Sequence, residues 1–198
     1  MAMAIATVAA VGAVAPAMAS ADVWDVGGTP YSGPAQLVGT LTTTLTANGA
    51  KTTCDVRAGV DLDNGAPGGV ARGELRSYLT GSAAGGACTT TFPGCSVALS
   101  PDTSPAWTIA TAGSGVTISG VSYQSVYSGS SCPFAGVPFS TSGSMTGSVA
   151  AATNSLEFSS SPGLTFTLGP VTVSGSLEAY VEDSSGDADL TQPITLEP

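Results

Sequence analysis

The sequence predicts an all-β fold, either an antiparallel β-sandwich or a closed β-barrel, with about nine to eleven strands held by disulfides. Three observations support this prediction. Apolar side chains recur at every second residue through most of the chain, and clusters of Gly, Pro, Asn and Ser interrupt these runs. The chain also contains four cysteines, an even number.

The first segment, residues 1–21, is uncharged and has a short apolar centre that ends in small residues. It is too short to span a bilayer and is typical of a signal peptide, with cleavage predicted after Ala19 or Ala21. The usual basic residue before the apolar centre is missing, so either the true start lies upstream or the segment is not a signal. We expect an exported protein, secreted or at the cell surface, without a transmembrane helix in its mature chain.

Strands can be placed in order from residue 37 onward. Leu37, Leu41 and Leu45 share one face, and the turn at Asn48-Gly49 predicts a hairpin because both residues tolerate positive φ. Alternation then continues from Cys54 to Leu62, with later runs starting at Leu75, Trp107, Val116, Val137, Leu156 and Val171.

The apolar positions change phase once within a run, from even numbers at Val116 and Ile118 to odd numbers at Val121 and Tyr123. One extra residue restores the inward face, so a β-bulge is expected at Gly120. No linker or exact repeat interrupts the pattern, which predicts a single all-β domain over residues 22–181. Residues 182–198 are expected to form an acidic, partly ordered C-terminal tail.

The four cysteines predict two disulfides in an oxidising compartment. The turn between Cys88 and Cys95 favours their pairing, which leaves Cys54 with Cys132. A bond from Cys54 to either Cys88 or Cys95 remains open, because it would also join neighbouring strands. A zinc site would require close CxxC spacing or histidine partners, and the chain has neither.

The charge distribution excludes whole classes of partner. The formal net charge is -10, and the four cations all lie within residues 51–76. Phosphate contacts require cations, so neither nucleic acid nor an anionic lipid surface is an expected partner.

Two acidic clusters resemble calcium loops. Asp61 and Asp63 occupy the first two ligand positions of an EF-hand-like loop, but position 12 is Arg72, so we interpret Asp63-Asn64-Gly65 as a turn. Glu182, Asp183, Asp187 and Asp189 are candidate ligands for a calcium ion of low affinity, with a solvated acidic tail as the favoured interpretation.

The residue types needed for catalysis are scarce, since the chain has no histidine. Glu157 and Glu178 are the only mid-strand pair of carboxylates after Arg76, and both are predicted to face outward rather than across a cleft. Ser119 lacks a G-x-S-x-G elbow, and Lys51 follows a turn, where an exposed lysine is ordinary. We therefore expect no enzymatic activity and no cofactor.

The order of several short motifs resembles the PraB-like family, the "protein activator of alkane oxidation", and similar small secreted β proteins of actinobacteria. The motifs are residues 29–33 (TPYSG), Pro105-Ala106-Trp107-Thr108-Ile109 after Cys95, residues 115–123, and Cys132-Pro133. The resemblance covers about residues 29–150 and implies an exported protein linked to biofilm or to growth on hydrophobic substrates. It supplies no catalytic residue.

The expected function is that of a non-catalytic extracellular or cell-surface protein of structural or adhesion type. Its partners would be other copies of itself, the cell envelope or a hydrophobic surface. One alternative is a β-barrel carrier for an apolar small molecule, which would require an internal cavity of about 300 Å³ or more. Another is a pore in an outer envelope, which the low aromatic content of 6% disfavours.

Overall fold

A computed structural model describes residues 22–65, 71–149 and 153–197. The predicted signal peptide lies outside the described residues. The fold is all-β, as predicted, with one 3₁₀ turn, η1, at Gly81–Ala84. The strands are β1 Val23–Val26, β2 Thr29–Pro30, β3 Gly33–Leu45, β4 Lys51–Asp63, β5 Arg72–Thr80, β6 Cys88–Thr90, β7 Ser96–Pro101, β8 Thr108–Ala112, β9 Gly115–Ser128, β10 Pro138–Val149, β11 Ser155–Phe166, β12 Gly169–Glu182, β13 Ala188–Pro193 and β14 Thr195–Glu197.

Eight antiparallel strands close into a barrel in the order β3, β4, β5, β8, β9, β10, β11, β12, and β12 returns to β3. The sandwich alternative is thereby excluded. The strands in addition to the expected number are short ones such as β1, β2, β6 and β14, which have two to four residues each. Runs of this length are too short to show alternation.

The predicted periodicity determines which side chains fill the barrel. In β4, every second residue from Thr52 to Leu62 is buried, and the β3–β4 hairpin turns at Asn48-Gly49 as predicted. The bulge at Gly120 is confirmed: Ile118 and Val121 of β9 lie opposite positions of β10 only two residues apart, and Gly120 adopts φ +75°.

A three-stranded sheet of β14, β1 and β2 covers the end of the barrel at which β4 ends. Trp24 of β1 donates its indole N–H to the Arg72 carbonyl at 3.0 Å, and the Asn64 amide bonds both the N–H and the C=O of Trp24. Most of the segment predicted as an acidic tail therefore lies in strands, with β13 pairing β12 and β14 pairing β1. The apolar side chains of Ile194 and Leu196 explain this, since both are buried.

The barrel interior is filled by side chains. Five aromatic rings pack at the end farthest from the three-stranded sheet, with centroids 5.3–6.4 Å apart: Phe92, Tyr127, Phe134, Phe139 and Phe166. Two small cavities of about 20 Å³ each lie among the interior side chains. Each has room for about one water molecule.

The disulfides join Cys54 to Cys88 and Cys95 to Cys132. Two disulfides were predicted, but the preferred pairing of Cys88 with Cys95 is wrong, and the Cys54–Cys88 alternative is correct. The reason is strand pairing: β6 runs antiparallel to β4 with Cys88 directly opposite Cys54. The turn after β6 instead leads into β7, so Cys95 lies beside the β9–β10 connection.

Candidate functional site

One half of the barrel exterior carries the ion pairs. Arg76 contacts Asp61 at 2.8 Å and Glu182 at 2.5 Å, and Arg57 pairs with Asp187. These contacts hold the β12–β13 turn against β3, β4 and β5. Gln36, buried beneath the turn, donates its amide to Glu182 at 2.7 Å. These contacts join distant parts of the chain, and we call the group of Gln36, Arg57, Asp61, Arg76, Glu182 and Asp187 the clamp. Its polar side chains bond to one another.

Glu182 is the half-buried centre of this clamp. Burial raises the pKa of its carboxyl, but hydrogen bonds from Arg76 and Gln36, together with the positive charges of Arg76 and Arg57, outweigh burial. The pKa of Glu182 therefore lies below its ordinary value. The same contact raises the pKa of the Arg76 guanidinium, so both partners remain charged near neutral pH.

We expect Glu182→Gln to lower the free energy of unfolding at pH 7 by about 1 kcal/mol, the size of a partly screened charge-assisted pair. A carboxyl whose folded pKa is depressed stabilises the fold above its unfolded pKa, and this contribution disappears as the pH falls through the folded pKa. The difference between variant and wild type should therefore shrink from pH 6 to pH 3 in urea titrations. Glu157→Gln, an exposed carboxyl without an ion pair among the described contacts, is the control. A pH-independent difference would contradict the assignment.

The four candidate calcium ligands make different contacts with the rest of the protein. Glu182 and Asp187 belong to the clamp, while Asp183 caps its own turn by accepting the backbone N–H groups of Ser185 and Asp187. Asp189 accepts hydrogen bonds from Thr191 and Gln192, which lower its pKa. Within residues 22–65, 71–149 and 153–197, no three carboxylate, thiol or imidazole groups form a metal cluster.

Asp61 and Asp63 lie in the last stretch of β4, which ends at Asp63 and contains no turn. Asp63 accepts the Gly65 backbone N–H at 2.8 Å and contacts Arg72 at 3.3 Å. Asn64 has a structural use that the sequence pattern did not indicate: besides bonding Trp24, its amide donates to the Tyr31 carbonyl at 2.9 Å. These bonds fix the three-stranded sheet to the barrel.

The other candidates lie on the outer surface. Glu157 and Glu178 are exposed, as predicted, on neighbouring strands β11 and β12, and Glu178 accepts the Tyr180 hydroxyl at 2.6 Å. Ser119 lies on β9 opposite Thr108, and Lys51 is exposed at the start of β4. The structure does not bring any two of these four into one cleft.

Three neighbouring strands of the barrel carry no charged residue. No residue between 103 and 156 is charged, and this segment forms β8, β9 and β10. Many of its outward side chains end in hydroxyl or amide groups. In the β9–β10 register, Ser122 lies opposite Ser142 and Gln124 lies opposite Ser140. We call the outward side of β8, β9 and β10 the neutral face.

One end of the neutral face carries exposed aliphatic side chains. Val126 is 36% exposed and lies opposite Pro138, next to Val137, which is 45% exposed. Leu168, 44% exposed, lies between β11 and β12 and adjoins this end of the neutral face, because the neighbouring Thr167 donates its backbone N–H to the Ser140 carbonyl of β10 at 2.9 Å. The signal for this feature in the sequence is the uncharged run of residues 103–156, which the pattern of strands alone does not bring out.

Tyr78 and Tyr123 are buried in the barrel interior. Burial raises the pKa of Tyr78 and of Tyr123, and for Tyr123 hydrogen bonds with Thr141 and Thr43 offset part of that effect. Both phenols therefore remain protonated at physiological pH. They line the small interior cavity together with Trp107.

Among the described residues, no helix has the length and hydrophobicity needed to cross a bilayer. Comparisons with protein-family models, curated proteins and solved structures found no match to this chain.

Proposed function

We propose that this is an exported, non-catalytic protein of structural or adhesion type that acts outside the cell or at its surface through its outer face. The supporting observation is the neutral face, where hydroxyls and exposed aliphatic side chains meet without a charged group. Its partner in this proposal is an apolar surface.

The physical argument is one of desolvation. Bringing a charge against an apolar phase costs several kcal/mol, whereas an aliphatic side chain gains about 25 cal/mol per Å² that leaves water. The protein has a net charge of -10, but its ion pairs involve β4, β5, β12 and the β12–β13 turn rather than β8, β9 and β10. Glu74 of β5 and Glu157 of β11 border the neutral face opposite Thr108 and Ser148. The neutral face is therefore the side that approaches an apolar surface at the lowest cost.

The interior favours this proposal over an apolar-ligand carrier. A carrier site of about 300 Å³ would be needed for a small molecule, whereas the two interior cavities have about 20 Å³ each. Aromatic and aliphatic side chains occupy the rest of that space. The proposed association with biofilm or with growth on hydrophobic substrates rests on the PraB-like resemblance.

The test is adsorption to a methyl-terminated monolayer, measured with a quartz crystal microbalance. The wild type should adsorb, and the double variant Val126→Lys/Leu168→Lys should adsorb about tenfold more weakly, because the contact would desolvate two charges. The double variant Leu79→Lys/Leu190→Lys is the matched control. It changes two exposed leucines, 40% and 69% exposed, that lie off the neutral face.

Equal losses in both double variants would contradict the proposal, since a general effect of added charge would then explain them. Failure of the wild type to adsorb would do the same. Carboxylate-terminated and hydroxyl-terminated monolayers distinguish an apolar contact from non-specific adhesion.

A further inference from the structure

The chain contains two Asn-Gly dipeptides, Asn48-Gly49 after β3 and Asn64-Gly65 after β4. Asparagine is chemically labile, and a following glycine makes it most so, because glycine has no side chain to obstruct attack by its own backbone nitrogen on the asparagine side-chain carbonyl. The two dipeptides are chemically identical. A difference between them in reactivity must therefore come from the fold.

Asn48 lies in the turn between β3 and β4, where residues 46–49 are all exposed. Its side chain makes a single hydrogen bond among the described residues, in which Oδ1 accepts the Ala50 backbone N–H at 2.9 Å. Negative charge develops on this same oxygen when a nucleophile attacks the carbonyl carbon. The Ala50 N–H therefore stabilises the intermediate of the attack, and no other side-chain contact has to break first.

The nucleophile for this attack is the Gly49 backbone nitrogen. Its N–H donates to the Leu45 carbonyl at 2.8 Å, so the turn must open before the nitrogen can react. That bond belongs to the turn rather than to the β3–β4 ladder, whose last pair is Thr44 with Lys51. The turn can therefore open locally while the strands remain paired.

Asn64 is held on every polar atom of its side chain. Its Oδ1 accepts the Trp24 backbone N–H at 2.7 Å, and its Nδ2 donates to the carbonyls of Trp24 at 3.1 Å and Tyr31 at 2.9 Å. Trp24 is buried, so these bonds open only when the three-stranded sheet leaves the barrel end. In addition, the Gly65 N–H donates to the Asp63 carboxylate, whose negative charge opposes loss of the amide proton.

We propose that Asn48 is a site of spontaneous deamidation in the folded protein and that the three-stranded sheet protects Asn64 from the same reaction. The Gly49 nitrogen loses its proton to a solvent base and forms a bond to Cγ of Asn48, and the Cγ–Nδ2 bond breaks to release ammonia. The product is a succinimide ring. Water then adds to one of its two carbonyl carbons, which leaves aspartate or isoaspartate at position 48. The net reaction exchanges ammonia for water, and it does not depend on the neutral face.

The modification changes the turn but keeps the barrel closed. Either product adds one negative charge beside the exposed Lys51, and the isoaspartate product also adds one methylene group to the main chain between β3 and β4. The β3–β4 ladder extends without a register shift from the Gly33–Leu62 pair to the Thr44–Lys51 pair. These pairs hold the two strands together on both sides of the reaction.

The test is incubation of the purified, folded protein at pH 8, followed by trypsin digestion and mass spectrometry. Trypsin separates the two sites, because Asn48 lies in the peptide that ends at Lys51 and Asn64 lies in the peptide of residues 58–72. We expect Asn48 to deamidate at least about tenfold faster than Asn64. In guanidinium chloride with the disulfides reduced, the two sites should react at similar rates, because the fold no longer distinguishes them.

Two variants separate the two parts of the proposal. Asn48→Gln keeps an amide but lengthens the side chain, so the peptide that ends at Lys51 should no longer be modified. Trp24→Ala removes the buried side chain of β1, so Asn64 should react faster while the rate at Asn48 stays unchanged. Far-UV circular dichroism shows whether Trp24→Ala retains the barrel. If it does not, the comparison of folded and unfolded wild type decides the matter alone.

Three results would overturn the proposal. One is that Asn48 and Asn64 react at equal rates in the folded wild type, or that Asn64 is faster. Another is that Asn48 stays intact in the folded protein under conditions in which the unfolded chain reacts. The third is that Asn64 remains as slow as in the wild type when Trp24→Ala is folded, since its protection would then not come from the three-stranded sheet.

Discussion

Replacing Cys95 and Cys132 with alanine is expected to lower the free energy of unfolding by about 4 kcal/mol. The bond closes a loop between residues 37 positions apart, and the chain-entropy relation for a loop of that length gives about this value. The effect should be large in this fold because β7 pairs with a single strand, β9, among the strands that the structure describes. Urea unfolding followed by tryptophan fluorescence measures it.

The matched control is Cys54→Ala with Cys88→Ala, which opens a loop of nearly equal length, 34 positions. Loop entropy alone predicts nearly equal losses for the two double variants. A non-reducing peptide map must first show Cys54 with Cys88 and Cys95 with Cys132. A map that joins Cys88 to Cys95 would contradict both the pairing and the prediction.

Local chemistry in the sequence was sufficient to predict the eight strands of the barrel and their inward faces. Alternation depends only on which side chains avoid water, so the burial of every second residue from Thr52 to Leu62 follows from residue type. Gly120 was predictable for the same reason, because a phase change must be absorbed by an extra residue, and glycine adopts the positive φ found there.

Pairings between distant segments were not predictable in this way. Alternation gives the face on which a cysteine lies but not the neighbouring strand, so the position of Cys88 opposite Cys54 follows only from the β4–β6 register. Arg76 and Glu182 are likewise 106 residues apart in sequence. Their contact forms because the barrel closes, and no local pattern encodes it.

The neutral face, by contrast, is a local feature of the sequence. The neutral face corresponds to one continuous charge-free segment, residues 103–156, so its composition could be read directly. The placement of β7 and β8 depends on topology instead, because each of them pairs with a different half of β9.

Trp107 is the side chain whose loss should damage the barrel most. It is 1% exposed, packs against Tyr78 with ring centroids 4.7 Å apart, and donates its indole N–H to the Asp102 carbonyl at 2.7 Å. It lies where the wall changes from the β5–β8 ladder to the unpaired stretch beside β7. At this position the wall is held together by side-chain packing, whereas elsewhere hydrogen bonds between strands hold it together.

We therefore expect Trp107→Ala to cost about 3–5 kcal/mol, the usual loss for a large aromatic side chain removed from a core. Trp107→Phe should cost less, because the ring contact with Tyr78 is kept and only the indole hydrogen bond is lost. The Leu75 amide, which donates to the Trp107 carbonyl at 2.8 Å, should exchange faster in the alanine variant. If the alanine and phenylalanine variants unfold at the same urea concentration, packing at this position does not hold the wall closed.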